Sequence, residues 1–230
     1  MKTALLICDH VSPVFVEKHG TYPVMYQQFF KELVLEPFFV CDDHFPEVND
    51  FDLFIITGSR YSVYDAIPWI TRLKILIREI AANGRKCIGV CFGHQIIAEA
   101  LDGKVKKASV GYLIGVHTFR MKQSLYDSEK SNYNVLMLCQ DQVSKLPSNA
   151  KLIAGNDQCP VGMYVIGNQF FAIQGHPEFT KDYDRDVFLS RREKMGDQKI
   201  EEALQSLEKD PDTEWLYQLM MKFVRTIEAF

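Results

Sequence analysis

The sequence predicts an α/β protein of three layers, in which a mostly parallel sheet carries helices on both faces. Over roughly the first hundred residues, apolar runs of strand length alternate with longer amphipathic stretches, as in parallel sheets. The chain has 230 residues, of which 47% are hydrophobic and 24% charged. This length and composition suit one globular domain over residues 1–230, with its core at about residues 3–180.

The first half of the chain contains four predicted strands and three predicted helices. The strands are Thr3–Cys8, Phe38–Cys41, Asp52–Thr57 and Lys86–Val90. Each is dominated by apolar residues, as expected when both faces of a sheet are covered. The helices are Tyr22–Leu33, Trp69–Ala82 and Gly93–Leu101. Pro68 suits the first turn of the second helix and Gly84 suits its end, which fixes the limits of that helix.

The middle of the chain has a different pattern, with five shorter strands in succession. They are Tyr112–Met121, Asn134–Leu138, Lys151–Ala154, Gly162–Ile166 and Gln169–Ile173. Gly167-Asn168 is a hairpin turn signal between the last two. We expect these hairpins to extend or flank the parallel sheet.

The C-terminal extension, residues 181–230, is predicted to be helical from Asp182 onward. Interruptions fall at Gly196-Asp197 and Asp210-Pro211. An apolar stripe at helical spacing consists of Leu216, Leu219, Met220, Phe223 and Ile227. The stripe predicts packing against the domain's own sheet. The alternative is a surface for a partner or for a second copy of the chain, as in a homodimer.

Composition and charge exclude several classes of function. The formal net charge is -4 and no basic tract occurs, so nucleic acid is not expected as a partner. The first apolar run, Ala4–Cys8, is too short for a signal peptide core or a membrane span. The six cysteines contain no CxxC pair and follow no secretion signal. We therefore expect reduced thiols, no metal site and a cytoplasmic location.

The segment GVCFGHQ at 89–95 has the pattern of a nucleophile on a sharp turn between a strand and a helix. Such a turn brings backbone close to Gly89 and Gly93, where a Cβ would not fit. The helix N-terminus then favours a Cys91 thiolate and leaves the Phe92 N–H free to stabilise an oxyanion. Without a partner base, Cys91 could equally be one more small buried residue.

His176 is the candidate base, because it follows an apolar strand and opens the run His176-Pro177-Glu178. Residues two apart in an extended segment project to the same side, and proline favours extended geometry before it. Glu178 can therefore orient the imidazole, which completes a nucleophile, a base and an acid. The other histidines, which lack such a neighbourhood, are His10, His19, His44, His94 and His117.

Three motifs in this order resemble the class I, triad-type, glutamine amidotransferase family. They are Ile56-Thr57-Gly58-Ser59, GVCFGHQ at 89–95 and QGHPEF at 174–179. The similarity covers about residues 3–180 and is greatest to the stand-alone, GMP-synthetase-like and γ-glutamyl peptidase-like branch. It implies the flavodoxin-like fold of the family and no cofactor. It also implies that Cys91 attacks the γ-amide of glutamine, forms a γ-glutamyl thioester and releases ammonia.

The same resemblance assigns the other site residues. His176 is the general base and acid, oriented by Glu178. The oxyanion hole comes from Phe92 and from the Gly58-Ser59 turn. The substrate contacts are Gln95, which matches the glutamine of the motif, and Cys139, Gln140 and Asp141, where the family usually has His-x-Asp. Ser59, Cys139 and Leu113-Ile114-Gly115 depart from the family pattern.

Three functions stay open from the sequence. The chain contains no GxxxxGK[ST] loop, so it lacks the common phosphate cradle of an ammonia-accepting synthetase. It could be a glutaminase subunit that docks on a separate synthetase. It could instead be a stand-alone γ-glutamyl peptidase acting on compounds such as glutathione conjugates. The third possibility is a regulatory module without catalysis.

Overall fold

The computed structural model describes residues 1–126 and 128–226, which contain eleven β-strands and eight α-helices. The strands are β1 Thr3–Ile7, β2 Leu35–Phe39, β3 Leu53–Ile56, β4 Lys86–Val90, β5 Lys104–Lys107, β6 Leu113–Met121, β7 Asn132–Cys139, β8 Asp141–Lys145, β9 Ala150–Gly155, β10 Met163–Ile166 and β11 Phe170–Ile173. The helices are α1 Pro13–His19, α2 Tyr22–Phe29, α3 Pro68–Ala82, α4 Phe92–Ala100, α5 Lys181–Ser190, α6 Arg192–Met195, α7 Asp197–Ser206 and α8 Thr213–Arg225. Short 3₁₀ helices occupy Val40–Asp42 and Val48–Asp50.

Nine strands form one sheet, in the order β2-β1-β3-β4-β11-β10-β9-β6-β7. The five strands from β2 to β11 pair in parallel, and every pairing from β11 to β7 is antiparallel. The predicted hairpins thus extend the parallel sheet at one side. Strands β5 and β8 form a separate two-stranded ribbon.

Helices cover both faces of the sheet, which confirms the predicted three layers. On one face, α3 and α4 pack on side chains such as Phe54 and Phe170. On the other face, α2 and α8 pack on side chains such as Ile55 and Phe171. A third apolar cluster joins α5 and α7 to the β6–β7 hairpin. None of the helices in the described ranges is long and apolar enough to cross a membrane.

The apolar stripe of the C-terminal helix packs as predicted over the described residues. Leu216, Leu219, Met220 and Phe223 are buried with the sheet side chains, and the Phe223 ring lies 5.7 Å from the Phe171 ring. Ile227 lies outside the described residues. This helix therefore belongs to the core of the chain.

Two predicted elements have clearly different bounds in the structure, and two further elements were not predicted. The second strand runs over Leu35–Phe39 rather than Phe38–Cys41, because Pro37 is tolerated in this edge strand and the chain turns into a 3₁₀ helix at Val40. Helix α2 ends at Phe29, four residues early. Helix α1 and the ribbon of β5 and β8 were not predicted, since α1 has only seven residues and the two ribbon strands are short and mostly polar.

Candidate active site

Cys91 occupies a strained turn between β4 and α4. Its φ of 53° and ψ of -101° lie outside the usual regions for a residue with a side chain. A Cβ on Gly89 would lie 2.5 Å from the Gly93 carbonyl oxygen, and one on Gly93 would lie 2.3 Å from that of Ile56. Both glycines are therefore required for the turn. The Cys91 N–H donates to the Ile173 carbonyl, which ties the turn to β11.

His176 lies just beyond the end of β11, beside Cys91. Its N–H donates to the Leu136 carbonyl at 2.8 Å, so strand β7 anchors the segment. The ring stacks on Phe179 with centroids 4.2 Å apart. A Cβ on Gly58 would lie 2.8 Å from His176 Cε1 and 3.6 Å from the Cys91 Cβ. The imidazole and the thiol thus face the same glycine.

Glu178 orients the imidazole, with its Oε1 2.7 Å from Nδ1 of His176. The hydroxyl of Tyr26 donates to the same oxygen at 3.1 Å. The other oxygen, Oε2, is buried and has no hydrogen-bond partner among residues 1–126 and 128–226. One carboxylate oxygen of Glu178 is therefore held between the His176 imidazole and the Tyr26 hydroxyl.

The charges around His176 favour its protonated form. Burial alone would lower the pKa of the ring, but interactions with Cys91 and then Glu178 raise it well above the ordinary value. Asp184, on α5, is fully buried, and both its oxygens lack partners in the described part of the chain. Burial raises the Asp184 pKa to about 8, and the Glu178 charge adds to that rise. Asp184 is thus mostly neutral at pH 7.

The candidate oxyanion residues lie beside the thiol. Phe92 is the first residue of α4, so its N–H has no acceptor within the helix. Gly58 and Ser59 line the same cleft as Cys91. The Ser59 hydroxyl donates to the Cys8 carbonyl at 2.8 Å, so the side chain fastens the turn to the end of β1.

Gln95 holds one other candidate substrate contact, Asp141, in place. Its amide donates to the Asp141 carbonyl at 2.7 Å and to the Gln174 side chain at 3.1 Å. The Asp141 carboxylate accepts from the Ser62 hydroxyl at 2.6 Å and from the Tyr64 hydroxyl at 2.9 Å. Gln95, Cys139, Gln140 and Asp141 all line the cleft. Polar contacts therefore fix the part of the cleft that Gln95 and Asp141 form.

The cleft has a volume of about 520 Å³ and carries three basic side chains, Arg60, Arg191 and Lys194. Arg60 is paired with Asp9 through Nε at 2.8 Å. The Arg191 guanidinium has no hydrogen-bond or ion-pair partner within the described ranges. The Lys194 ammonium lies 5.6 Å from the centre of the Tyr112 ring. Arg191, at the junction between α5 and α6, and Lys194, on α6, thus form a cationic wall of the cleft.

Sequence reasoning missed several residues of this site. Gln174, whose amide lies 3.6 Å from the Cys91 sulfur, stands in the QGHPEF motif but received no role. Tyr26 lies on α2 and Arg191 lies between α5 and α6, both distant in sequence from Cys91, and no local pattern marks them. Only the fold brings Tyr26 to Glu178 and Arg191 to the cleft.

A family model for the class I glutamine amidotransferases matches residues 34–193. The match covers more than half of the chain, so this protein belongs to the class I glutamine amidotransferase family. The resemblance drawn from the three motifs is confirmed.

Individual relatives and a solved structure agree with the family. γ-Glutamyl peptidase 4 of Arabidopsis thaliana is 35% identical over 162 residues, which cover 66% of this chain and 64% of that protein. A glutamine-hydrolysing GMP synthase of Azoarcus sp. is 31% identical over 147 residues, covering 60% of this chain and 27% of that protein. A glutamine amidotransferase structure from Thermotoga maritima has a TM-score of 0.79 at 18% identity, covering 98% of this chain and 99% of that one. At that identity, the structural likeness supports the fold alone.

Proposed function

We propose that this protein is a cysteine hydrolase that cleaves γ-glutamyl C–N bonds, with the γ-amide of glutamine as its simplest substrate. The observation that carries this proposal is the grouping of Cys91 and His176 at one cleft, with Cys91 on a strained turn and Glu178 hydrogen-bonded to the imidazole. No step requires a cofactor or metal.

The reaction follows from the positions of these groups. His176 takes the Cys91 thiol proton, and the sulfur attacks the γ-carbonyl carbon. The Phe92 N–H and an N–H from the Gly58-Ser59 turn stabilise the negative oxygen. His176 then gives its proton to the departing nitrogen, which leaves as ammonia from glutamine. Water, deprotonated by His176, hydrolyses the γ-glutamyl thioester to glutamate and restores the thiol.

Glutamate release from glutamine tests this proposal. The protein should release glutamate and ammonia in equal amounts, and Cys91→Ala should abolish release. Cys87→Ala, which removes another buried thiol from strand β4, is the matched control and should retain activity. Release that persists in Cys91→Ala would contradict the proposal. Silence of the wild-type protein toward every γ-glutamyl compound would favour the non-catalytic regulatory module.

A γ-glutamyl peptide is the second candidate substrate. The cleft of about 520 Å³ is larger than one amino acid requires and lies within the range of about 300–1,000 Å³ for sizeable ligands. Arg191 and Lys194 can receive a carboxylate at the far end of a peptide. The γ-glutamyl peptidase relatives carry this activity in their names. A higher kcat/KM for γ-Glu-Cys-Gly than for glutamine would favour the peptidase activity.

We also propose a separate synthetase as a partner, since the name of the GMP synthase relative joins glutamine hydrolysis to synthesis. Glutaminase activity that rises when such a synthetase is added would support this subunit role, whereas unchanged activity would oppose it.

All six cysteines are free thiols, which fits a reducing, cytoplasmic environment. A homodimer is the remaining proposal, and light scattering of the purified protein would test it.

A further inference from the structure

Three side chains of metal-ligating type meet at the carboxyl ends of the neighbouring strands β1 and β2. His10 follows β1, whereas Cys41 and Asp42 lie in the 3₁₀ turn that follows β2. One ligand atom from each lies within 4.8 Å of the other two. Nε2 of His10 is 3.7 Å from the Cys41 sulfur and 3.0 Å from an Asp42 oxygen. These residues are separate from the catalytic triad.

A hydrogen bond between the ring and the carboxylate does not fully explain this arrangement. One ring nitrogen carries either a single hydrogen or a single lone pair, yet both the thiol and the carboxylate face Nε2 of His10. Zinc binds nitrogen and oxygen at about 2.0–2.2 Å and sulfur at about 2.3 Å, so tetrahedral ligand atoms are separated by about 3.3–3.6 Å. The two separations from Nε2, 3.7 and 3.0 Å, lie close to that range. Small side-chain rotations would complete the fit.

The surroundings prepare the three ligands for a cation. The His10 ring stacks on Phe39 with centroids 5.3 Å apart, which orients the imidazole. The nearby cation Arg60 is bound by Asp9, and Arg72 is bound by Asp43 at 2.9 Å. Neither of these ion pairs includes Asp42. The side chains of His10 and Asp42 are each 56% exposed, so an ion can enter and keep a water ligand.

We propose that His10, Cys41 and Asp42 bind one divalent transition-metal ion of the zinc type. Soft sulfur, borderline nitrogen and hard oxygen together suit Zn²⁺ or Co²⁺ rather than Mg²⁺ or Ca²⁺. On binding, the Cys41 S–H bond breaks, a sulfur–metal bond forms and the proton goes to solvent, with no change of oxidation state. Three protein ligands and one water complete a tetrahedral site.

The bound ion would join the loops after β1 and β2 at the rim of the catalytic cleft, which His10 also lines. Since the ion binds only the folded chain, it would raise the melting temperature. The sequence did not predict this site because its ligands are 31 positions apart and form no CxxC or paired His motif.

Cobalt titration of the full-length, tag-free chain tests the proposal. The Cys91→Ser variant is the starting protein, because the catalytic thiol could itself bind metal. One equivalent of Co²⁺ should bind, with a near-ultraviolet sulfur-to-cobalt absorption band, and Zn²⁺ should displace it. Adding Cys41→Ser should remove the band and weaken binding at least about 100-fold, since loss of an outer-shell partner alone costs about 10–100-fold. Adding His10→Ala should weaken binding similarly.

His19→Gln is the matched control, since His19 also contacts a carboxylate, that of Asp186, at 2.7 Å, but without a thiol. This control should leave the band and the affinity unchanged. No binding by the Cys91→Ser protein would overturn the proposal, as would binding that Cys41→Ser leaves intact. Binding that lacks the sulfur-to-cobalt band would also refute the assigned ligands.

Discussion

The turn that carries Cys91 and the cationic wall formed by Arg191 and Lys194 belong to the same cleft but are built in opposite ways. At the turn, backbone atoms leave no room for a Cβ on Gly89 or Gly93. At the wall, Lys194 reaches the cleft from the short helix α6, and Arg191 reaches it from the junction between α5 and α6. Under the proposed function, backbone geometry would fix the chemistry, whereas exchangeable side chains would control which γ-glutamyl compound fits.

The largest effect should come from Glu178→Gln, which keeps the shape of the side chain but removes its charge. The charge raises the pKa of His176, so the variant should lower that pKa and weaken the orientation of the ring. We expect kcat to fall by about 10²–10⁴, as when the acid of a comparable triad is neutralised. Tyr26→Phe, which keeps the charge, should cost far less. A kcat within about threefold of wild type would remove Glu178 from the triad.

Gly93→Ala tests whether backbone packing sets the position of the sulfur. The new Cβ would lie 2.3 Å from the Ile56 carbonyl oxygen, so α4 or β3 must move. A displacement of about 1 Å can cost about 10² in rate, and we expect at least that loss of kcat. Gly111→Ala is the control, because its Cβ meets open space and adds only the strain of a positive φ. Equal activity of the two variants would contradict the proposed role of the turn.

Arg191→Ala should affect a γ-glutamyl peptide with a negatively charged carboxyl end more than substrates that lack this charge. We expect kcat/KM to fall about tenfold for γ-Glu-Cys-Gly, because one charged hydrogen bond is lost. Values for glutamine and for the peptide with an amidated carboxyl end should change little. Arg185→Ala, on α5 but not lining the cleft, controls for loss of charge. An equal loss for all three substrates would indicate a structural role for Arg191.

Asp184→Asn should alter stability rather than chemistry. The pKa of Asp184 is raised to about 8, so the folded chain holds a proton that the unfolded chain has lost above the ordinary Asp pKa. The wild type therefore loses stability as pH rises toward about 8, and the variant lacks this loss. Urea unfolding at about pH 5, 7 and 9 should reveal a growing advantage of the variant. Asp182→Asn, exposed on the same helix, should show no such trend.

The difference between the two regions also explains what the sequence could predict. The predicted strand Lys86–Val90 has the same bounds in the structure. Both its apolar run and the glycines of the GVCFGHQ segment are local signals, which a sequence shows directly. His176 and Glu178 were predicted as site residues for the same reason, since the run His176-Pro177-Glu178 is also a local signal. Tyr26, Arg191 and Asp184 were not, since their roles arise from packing between distant segments.

The second strand shows the same limit at the level of the fold. Pro37 indicates a break when the sequence is considered alone, but β2 is an edge strand, which tolerates a residue without an N–H. The edge position depends on the order of strands in the whole sheet. The parallel core could be predicted from local patterns, whereas the cleft walls and the strand order required the tertiary structure.

Detection of the covalent intermediate tests the central proposal most directly. The protein is mixed with excess γ-glutamyl substrate, quenched in acid and examined by intact-mass and peptide mass spectrometry. We predict a mass increase of one glutamyl group on the peptide that contains Cys91, absent from Cys91→Ala and present in Cys87→Ala. Turnover with no adduct at Cys91, or with the glutamyl group on another residue, would contradict the proposed mechanism.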